Sequence, residues 1–282
     1  MSDFSLILEN KNSGETSFES LYRIKREHRG EKVGHAGTLD KFASGLMIVM
    51  IGNATKLNPI FSSFSKSYRA TIEFGSETDT LDPEGEVIRT GPIPGYEEVR
   101  SAVHSFSGNQ MQIPPVYSAI HIDGKRAYRE ARKGNEVSLS PRPITVHSIS
   151  LVSYCDGIAV VDAHVSKGTY IRSLARDIGI KAGSAAHLVA LERTSIGPFS
   201  LSDIGKSTRE LLDQSGLLSA VCLDPAKRMK IENGYLPLRY VLKDDDAERS
   251  FCYLHFGDEL FGIGEKQEDR IRIIARISNG NL

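Results

Sequence analysis

The sequence predicts an α+β protein with a large domain over residues 1–230 and a small β-rich domain over residues 231–282. In the first range, apolar and alternating runs typical of strands are interspersed with amphipathic helical stretches. After about residue 230, only short β-rich runs separated by polar turns remain. A chain of 282 residues is long enough to bury a sizeable core in one large domain and still form a small second one.

The N-terminal part predicts one helix and several strands. Weak alternation, an apolar run, and a clear alternation that ends at a glycine predict strands over residues 4–8, 46–52 and 67–75. The helix is predicted over residues 13–30, because Thr16 and Glu19 fit a capping box and Gly30 is a plausible stop. Between helix and second strand lies a glycine-rich loop.

The rest of the large domain predicts a helix over 96–106 and then a Pro-bounded, charged insertion over 122–143. The stretch 157–183 has the pattern of a strand, a tight turn and a helix, with Thr169 as N-cap. A further helix is expected over 184–192.

The bulk composition excludes several classes of protein. No apolar run is long enough for a membrane span, and the N-terminus lacks the pattern of a secretory signal, so we expect a cytoplasmic protein. The three cysteines lie far apart and no histidine cluster has zinc spacing, which argues against a disulfide framework and a structural metal.

The net charge of −1 argues mildly against a nucleic-acid partner, but it hides two local basic stretches. Residues 21–32 carry five cations and two carboxylates, and residues 124–134 include Arg126 and Arg132. Each stretch is either a solvated face or a surface that binds a polyanion.

The loop "GHAGTLDKFASG" places a single carboxylate, Asp40, between glycines and an apolar strand. Four interpretations stay open. Asp40 could cap a turn, the glycine amides could hold a phosphate, or His35 and Asp40 could bind a metal. Alternatively, Asp40 is a nucleophile that works without a metal.

Two further positions bear on chemistry. Arg172 falls in the first turn of a predicted helix, where a cation opposes the helix dipole by about 0.3–1 kcal/mol. Exposure would make this harmless. If instead the Asp40 carboxylate lay about 4 Å away, an attraction of roughly 4 kcal/mol would offset the dipole and keep Asp40 ionised. Tyr68, flanked by Lys66 and Arg69, either packs in its strand or stacks on a nucleobase while the cations meet phosphate.

Taken in order, these segments resemble the TruB-type tRNA pseudouridine synthases over about residues 4 to 200. The resemblance lies in "GHAGTLDKFASGLMIVMIGNATKL", "KSYRATIEFGSETDTLDPEGEV", "IPPVYSAIHIDGKRAYREARKGNEV", "RPITV" and "SKGTYIRSLARDIG". It implies a pseudouridine synthase fold, with a central mixed, mainly antiparallel sheet flanked by helices. The C-terminal residues resemble a shortened PUA-type RNA-binding domain.

The resemblance also implies roles for individual residues. Asp40 is the catalytic aspartate, Tyr68 stacks on the uracil and is a candidate for proton transfer, and Arg172 pairs with Asp40. Tyr170 and Leu191 line the pocket, and His35 helps to fill the space that the flipped base leaves. The insertion 122–143 would grip RNA. The family usually has proline where this chain has Lys41.

The implied reaction converts uridine 55 in the tRNA T-loop to pseudouridine, with no metal and no cofactor. The expected partner is the tRNA T-stem-loop, with no membrane, no obligate protein partner and a monomeric enzyme. Three rival hypotheses remain: an RNA-binding or RNA-folding protein on the same fold, a guide-dependent pseudouridylase that needs protein partners, and, more distantly, a metal-dependent hydrolase.

Overall fold

The computed structural model describes residues 4–118, 121–122, 125–126, 139–230 and 234–277. Within these ranges the chain forms strands β1 to β19 and helices α1 to α5. The strands are Phe4–Lys11, Val33–His35, Ser44–Gly52, Lys66–Phe74, Ser76–Thr78, Val87–Thr90, Gly108–Gln112, His121–Ile122, Lys125–Arg126, Arg142–Cys155, Ile158–Val165, Ala186–Ile196, Phe199–Ser200, Leu218–Leu223, Tyr235–Pro237, Val241–Asp244, Phe251–Phe256, Glu259–Lys266 and Arg270–Arg276. The helices are Tyr22–Glu27, Asn58–Ser63, Tyr96–His104, Ile171–Lys181 and Thr208–Ser215. Short 3₁₀-helices cover Glu19–Leu21, Asn53–Leu57, Leu201–Asp203, Pro225–Lys230 and Leu238–Tyr240.

The main sheet of the described chain has nine strands, seven of them in the order β1-β3-β12-β4-β11-β10-β7. Strand β2 pairs with β3 and β13 with β12. The pairing of β3 with β12 is parallel and the other pairings in this sheet are antiparallel. The predicted mixed, mainly antiparallel sheet with flanking helices is therefore confirmed.

Strand β3 explains why an apolar run follows the loop that carries Asp40. Its side chains alternate between two hydrophobic cores on opposite faces of the sheet. Met47, Val49 and Ile51 belong to the first core, and Leu46 and Ile48 belong to the second. A strand buried on both faces has a continuous apolar sequence. Because β3 is buried in this way, it holds one end of the loop in a fixed position.

The helix predicted over residues 184–192 is wrong, because this segment forms most of β12. Its Ala- and Leu-rich sequence suits a helix, but its backbone pairs with β4 along most of its length and with β3 near its end. Packing decides the conformation here: a Cβ on Gly179 of α4 would stand 2.5 Å from the Ala186 Cβ, so helix and strand approach closely.

The helix boundaries in the structure differ from those predicted from the sequence in two places. The Thr16–Glu19 capping box is present, since the Glu19 carboxylate accepts from the Thr16 N–H at 2.8 Å and the Glu19 N–H donates to Thr16 Oγ1 at 3.2 Å. It leads into a 3₁₀ turn and a short α1. Thr169 is not the N-cap of α4: Tyr170 holds that position, without a side-chain cap.

The C-terminal sheet has the strand order β15-β19-β18-β17-β14-β16 among the described residues. It includes Leu218–Leu223, which pairs in parallel with Phe251–Phe256 and lies N-terminal to the predicted boundary at 231. Tyr253 and Ile263 of this sheet share the second core with β1 and β3. The division at 230/231 and the likeness to a PUA domain stay predictions.

Gly45 is the position in β3 where the sheet depends on a missing side chain. Its φ is +111°, and a Cβ there would lie 2.3 Å from the Arg193 backbone oxygen on β12. Gly45→Ala is expected to lower the free energy of unfolding by about 3 kcal/mol or more, measured by urea denaturation, because backbone cannot yield as a side chain would. Gly205→Ala is the control, since Gly205 has φ +95° but no atom within 4 Å of a Cβ. An equal loss in both variants would mean that backbone strain alone, without crowding, explains Gly45.

Candidate active site

Several of the residues predicted from the sequence meet in one cleft of about 580 Å³. Asp40 comes from the loop before β3, Lys66 and Tyr68 from β4, and Leu191 from β12. Tyr170 and Arg172 come from the start of α4. The lining residues from these separate segments are Asp40, Lys66, Tyr68, Tyr170, Arg172 and Leu191. The central strands β4 and β12 are neighbours, so the fold itself brings these segments together.

The loop that carries Asp40 is held from two sides. Ser17 donates to the Leu39 carbonyl at 3.0 Å and accepts from the Leu39 N–H at 2.9 Å. The fully buried Lys11 donates its ammonium protons to the carbonyls of Asn12, Lys41 and Ala43. Contacts just before and just after Asp40 therefore fix its backbone.

The ion pair expected between Asp40 and Arg172 is present. Arg172 Nε lies 2.9 Å from Asp40 Oδ2, and Nη2 donates to Oδ1 at 3.3 Å. Arg172 is buried, while the Asp40 side chain keeps 40% of its exposure. The carboxylate thus faces the cleft while the guanidinium lies behind it. Helix α4 carries this cation in its first turn, as predicted, and an anion does lie against it.

Asp82 is a site residue that sequence reasoning missed. It is 5% exposed, and its Oδ2 accepts from Arg172 Nη1 at 3.2 Å. Its Oδ1 accepts from the Thr80 hydroxyl at 2.6 Å and the Glu84 N–H at 3.0 Å. The neighbouring Leu81 has a positive φ of 62°. The segment "TLDPEG" is polar and rich in turn-forming residues, so only the tertiary contact with Arg172 shows that it supplies a second carboxylate to the site.

Sharing Arg172 between two carboxylates changes the electrostatics of Asp40. Burial raises the pKa of Asp40, and the negative charge of Asp82 raises it further, against the lowering effect of Arg172. The net direction is upward. Burial outweighs a cation that also serves Asp82. The expectation that Arg172 keeps Asp40 ionised stays a prediction, which the pH dependence below tests.

This direction gives a pH dependence. If Asp40 is the catalytic carboxylate that the resemblance implies, it must be ionised to act, so kcat/KM is expected to fall as the pH drops through the raised pKa of Asp40, above the ordinary value of 3.8. The measurement is kcat/KM against pH with a uridine-containing RNA. Asp162→Asn, at an exposed ion pair with Arg69, should leave the profile unchanged. An acid limb at or below the ordinary aspartate value would contradict the raised pKa.

Arg193 is a second residue that sequence reasoning missed. It is 1% exposed, donates from Nε to the Leu46 carbonyl at 2.7 Å and from Nη2 to the Gly37 carbonyl at 3.2 Å, and lines the cleft. No ion pair of Arg193 is found in the described ranges. Burial lowers its pKa and the neighbouring Tyr68 raises it. Arg193 thus ties β3 and the loop that carries Asp40 to β12, and it places a cation beside Tyr68.

Lys66 and Tyr170 are both held by backbone contacts. Lys66 is buried, donates to the Ser62 and Phe64 carbonyls at 2.7 and 2.6 Å, and burial lowers its pKa to about 8. It therefore keeps its charge at neutral pH, with one ammonium proton free of these two bonds. The Tyr170 N–H donates to Gln112 Oε1 at 2.9 Å, and the Tyr170 carbonyl accepts from Gln112 Nε2 at 3.1 Å.

The other predicted residues lie elsewhere. His35 does not line the cleft: it lies on β2, opposite Val49 of β3, and burial lowers its pKa. Arg132 lies outside the described residues. For Arg126 only the backbone is described, in the two-residue strand β9 that pairs with β8. Among the described residues, no group of three or more His, Cys, Asp or Glu could hold a metal ion, and no helix is long and apolar enough to cross a membrane.

Solved structures show the same fold. The chain superposes on one chain of the archaeal box H/ACA sRNP Nop10–Cbf5 complex with a TM-score of 0.66 and 19% sequence identity. The superposition covers 96% of this chain and 86% of that chain. A Cbf5–Nop10–Gar1 complex gives a TM-score of 0.64 and 22% identity, over 96% of this chain and 83% of that one. At these identities the likeness shows the fold alone.

Relatives found by sequence have a higher sequence identity to this chain than these solved structures. The protein from Borreliella burgdorferi strain ZS7 named tRNA pseudouridine synthase B is 40% identical over 235 residues, covering 82% of this chain and 83% of the relative. Proteins of the same name from Bordetella avium and Opitutus terrae are 45% and 42% identical over 70% of this chain and 82% and 83% of their own lengths. The model of the TruB family of pseudouridylate synthases, N-terminal domain, matches residues 25–171. This chain therefore belongs to the TruB family of pseudouridylate synthases.

Proposed function

We propose that this protein is a tRNA pseudouridine synthase that isomerises uridine 55 in the T-loop. The observation that carries the proposal is the cleft that Asp40, backed by Arg172 and Asp82, lines together with Tyr68. The family and the relatives named tRNA pseudouridine synthase B support the reaction and the class of RNA. The position within the RNA is the finer part of the proposal.

The reaction exchanges one bond of the ribose for another. The bond between uracil N1 and ribose C1′ breaks, the base turns over, and C5 bonds to C1′. The proton leaves C5 and N1 gains one, so atoms and charge balance without an oxidant or an added group. The residues of the cleft must therefore hold a detached base, supply a nucleophile and move one proton.

The target base must leave its stack to reach Asp40, which costs a few kcal/mol. Stacking on Tyr68 is expected to return about 1–3 kcal/mol. Leu191, on the adjacent strand, presents an apolar surface to the same cleft. The base is thus expected to contact an aromatic ring and an aliphatic side chain while it rotates.

Asp40 acts as the nucleophile, either at ribose C1′ or at the pyrimidine ring, and both routes need an ionised carboxylate at a fixed position. Arg172 supplies both conditions: its charge opposes the desolvation of Asp40, and its bonds to Asp82 and the Thr80 carbonyl fix its own orientation. Tyr68 is the candidate for proton transfer from C5, as a phenolate that passes the proton on towards N1, with the Arg193 cation beside it.

The test is release of tritium from tRNA transcript labelled at uridine C5, with purified protein in EDTA and no added partner. Release in amounts equal to the uridine converted, lost when U55 is replaced by cytidine, would support both the reaction and its position. Release that persists in the U55C transcript would refute the position alone. No release from any transcript would refute the proposed reaction.

We also propose that the protein acts alone, as a cytoplasmic monomer. The basic insertion 122–143 favours direct binding of the tRNA over dependence on a guide RNA and protein partners. Size-exclusion chromatography with light scattering, on the same preparation that is active in the tritium assay, checks the monomer. Activity only after addition of a partner protein would contradict this proposal.

A further inference from the structure

The basic stretch 21–32 forms a surface that the catalytic cleft does not use. We call Phe18, Tyr22, Lys25, Arg26 and Arg29, on and around α1, the α1 surface. Four of these residues line an open groove of about 560 Å³: Tyr22, Lys25, Arg26 and Arg29. None of the five lines the catalytic cleft.

Two large aromatic side chains of the α1 surface are exposed to solvent. Phe18 and Tyr22 are each 59% exposed, while Leu21 and Ile24 on the other face of the same segment are buried. The rings meet edge to face with centroids 5.5 Å apart. Two adjacent aromatics in water are unfavourable unless something covers them, and their mutual contact holds the rings in place before any partner binds.

The charge of the α1 surface favours a polyanionic partner. The Lys25 ammonium lies 3.3 Å from the centroid of the Phe18 ring. Arg26 and Arg29 make no ion pair with other described residues, whereas Arg23 pairs with Glu9 and Glu27. Aromatic rings beside unpaired cations are the combination that binds unpaired bases and their phosphates.

The α1 surface is also fixed relative to the nucleophile. Ser17, the residue before Phe18, makes two hydrogen bonds to the backbone of Leu39, the residue before Asp40. The contact is buried and leaves little freedom between the two segments. An RNA whose uridine lies at Asp40 therefore has this surface as a rigid neighbour.

We propose that the α1 surface is a second RNA-contact surface, on which an unpaired base of the bound RNA stacks against Phe18 and Tyr22 while Arg26 and Arg29 contact phosphates. The inference rests on the proposed function for its partner, an RNA that is bound in the cleft. It adds a contact outside the cleft and assigns it to RNA affinity rather than to the chemical step.

The test compares variants in RNA binding and in turnover. Phe18→Ala/Tyr22→Ala is expected to raise the Kd for tRNA transcript, and KM in the tritium assay, by about 5- to 150-fold, the range expected for removing one base stack. The value of kcat at saturating RNA should stay unchanged. Phe18→Tyr/Tyr22→Phe should restore the wild-type Kd, while Phe18→Leu/Tyr22→Leu should not, which separates stacking from simple apolar burial.

The charges are tested separately. Arg26→Gln/Arg29→Gln should reduce the slope of log Kd against log salt concentration by about 0.7 for each phosphate that the variant no longer neutralises.

The matched control for the aromatic variant is Tyr96→Ala. Tyr96 is a 52% exposed helical tyrosine beside Glu97 and Glu98, where RNA should not bind. It should leave Kd and KM at wild-type values.

The outcomes distinguish this inference from the proposed function. Wild-type Kd and KM in folded Phe18→Ala/Tyr22→Ala protein, verified by an unchanged Tm, would overturn the second surface even if the enzyme is active. A raised Kd in a preparation whose wild type releases no tritium would refute the reaction and leave the RNA surface standing. Equal losses in Tyr96→Ala would show a nonspecific effect and overturn the assignment to α1.

Discussion

Asp40→Asn is expected to lower pseudouridine formation by at least about 10⁴-fold, the scale seen when an enzyme loses its nucleophile. An amide of the same shape cannot attack carbon, because it carries no negative charge. The Kd for tRNA should stay within about threefold of wild type, since Tyr68, Leu191 and the cations of the cleft are untouched. Tritium release in single-turnover conditions and filter binding measure the two quantities.

The same substitution should not weaken the fold. The pKa of Asp40 is raised in the folded protein, so any stability linked to this group is present at low pH and lost as the pH rises through that raised value. At neutral pH the ionised Asp40 therefore contributes no such stability, and Asp40→Asn should leave Tm unchanged or slightly higher. The control is Asp162→Asn, which should keep full activity. RNA affinity that falls in step with turnover would refute the role given to Asp40.

Arg172→Met is expected to lower both activity and stability. It leaves Asp82, which is 5% exposed, without its cation, and breaking a buried pair from one side typically costs about 3–5 kcal/mol. It also removes the cation that lowers the pKa of Asp40, so the acid limb of kcat/KM should move to higher pH. We expect kcat to fall by about 10²-fold or more, because Asp40 loses both its charge partner and its orientation.

A second substitution separates the two effects. Arg172→Met/Asp82→Asn removes the unpaired buried charge together with the cation, so urea denaturation should show much of the lost stability recovered. Activity should remain low, since Asp40 still lacks Arg172. If the double variant regained activity together with stability, Arg172 would act only through the fold. Arg172→Lys keeps a charge but cannot reach Asp40, Asp82 and the Thr80 carbonyl at once, and should fall between wild type and Arg172→Met.

The sequence by itself determined the features of the protein that depend on a local pattern of residues or on a specific motif. Alternation and apolar runs predicted β1, β3 and β4, because the side-chain period of a strand is written directly in the chain. The charge pattern left the contact between Asp40 and Arg172 open, the resemblance to the TruB family implied it, and the structure contains it. The roles assigned to Asp40, Tyr68 and Arg172 stay predictions that the variants above test.

Only the tertiary structure decided the features that depend on neighbours distant in sequence. Residues 184–192 have helical composition, but 186–192 form a strand because β3 and β4 pair with them. Asp82 and Arg193 belong to the site because the sheet brings a polar turn and a strand residue against Arg172 and Tyr68. The direction of the Asp40 pKa follows from the same cause: desolvation and a shared cation are properties of the folded surroundings, and no local pattern of residues encodes them.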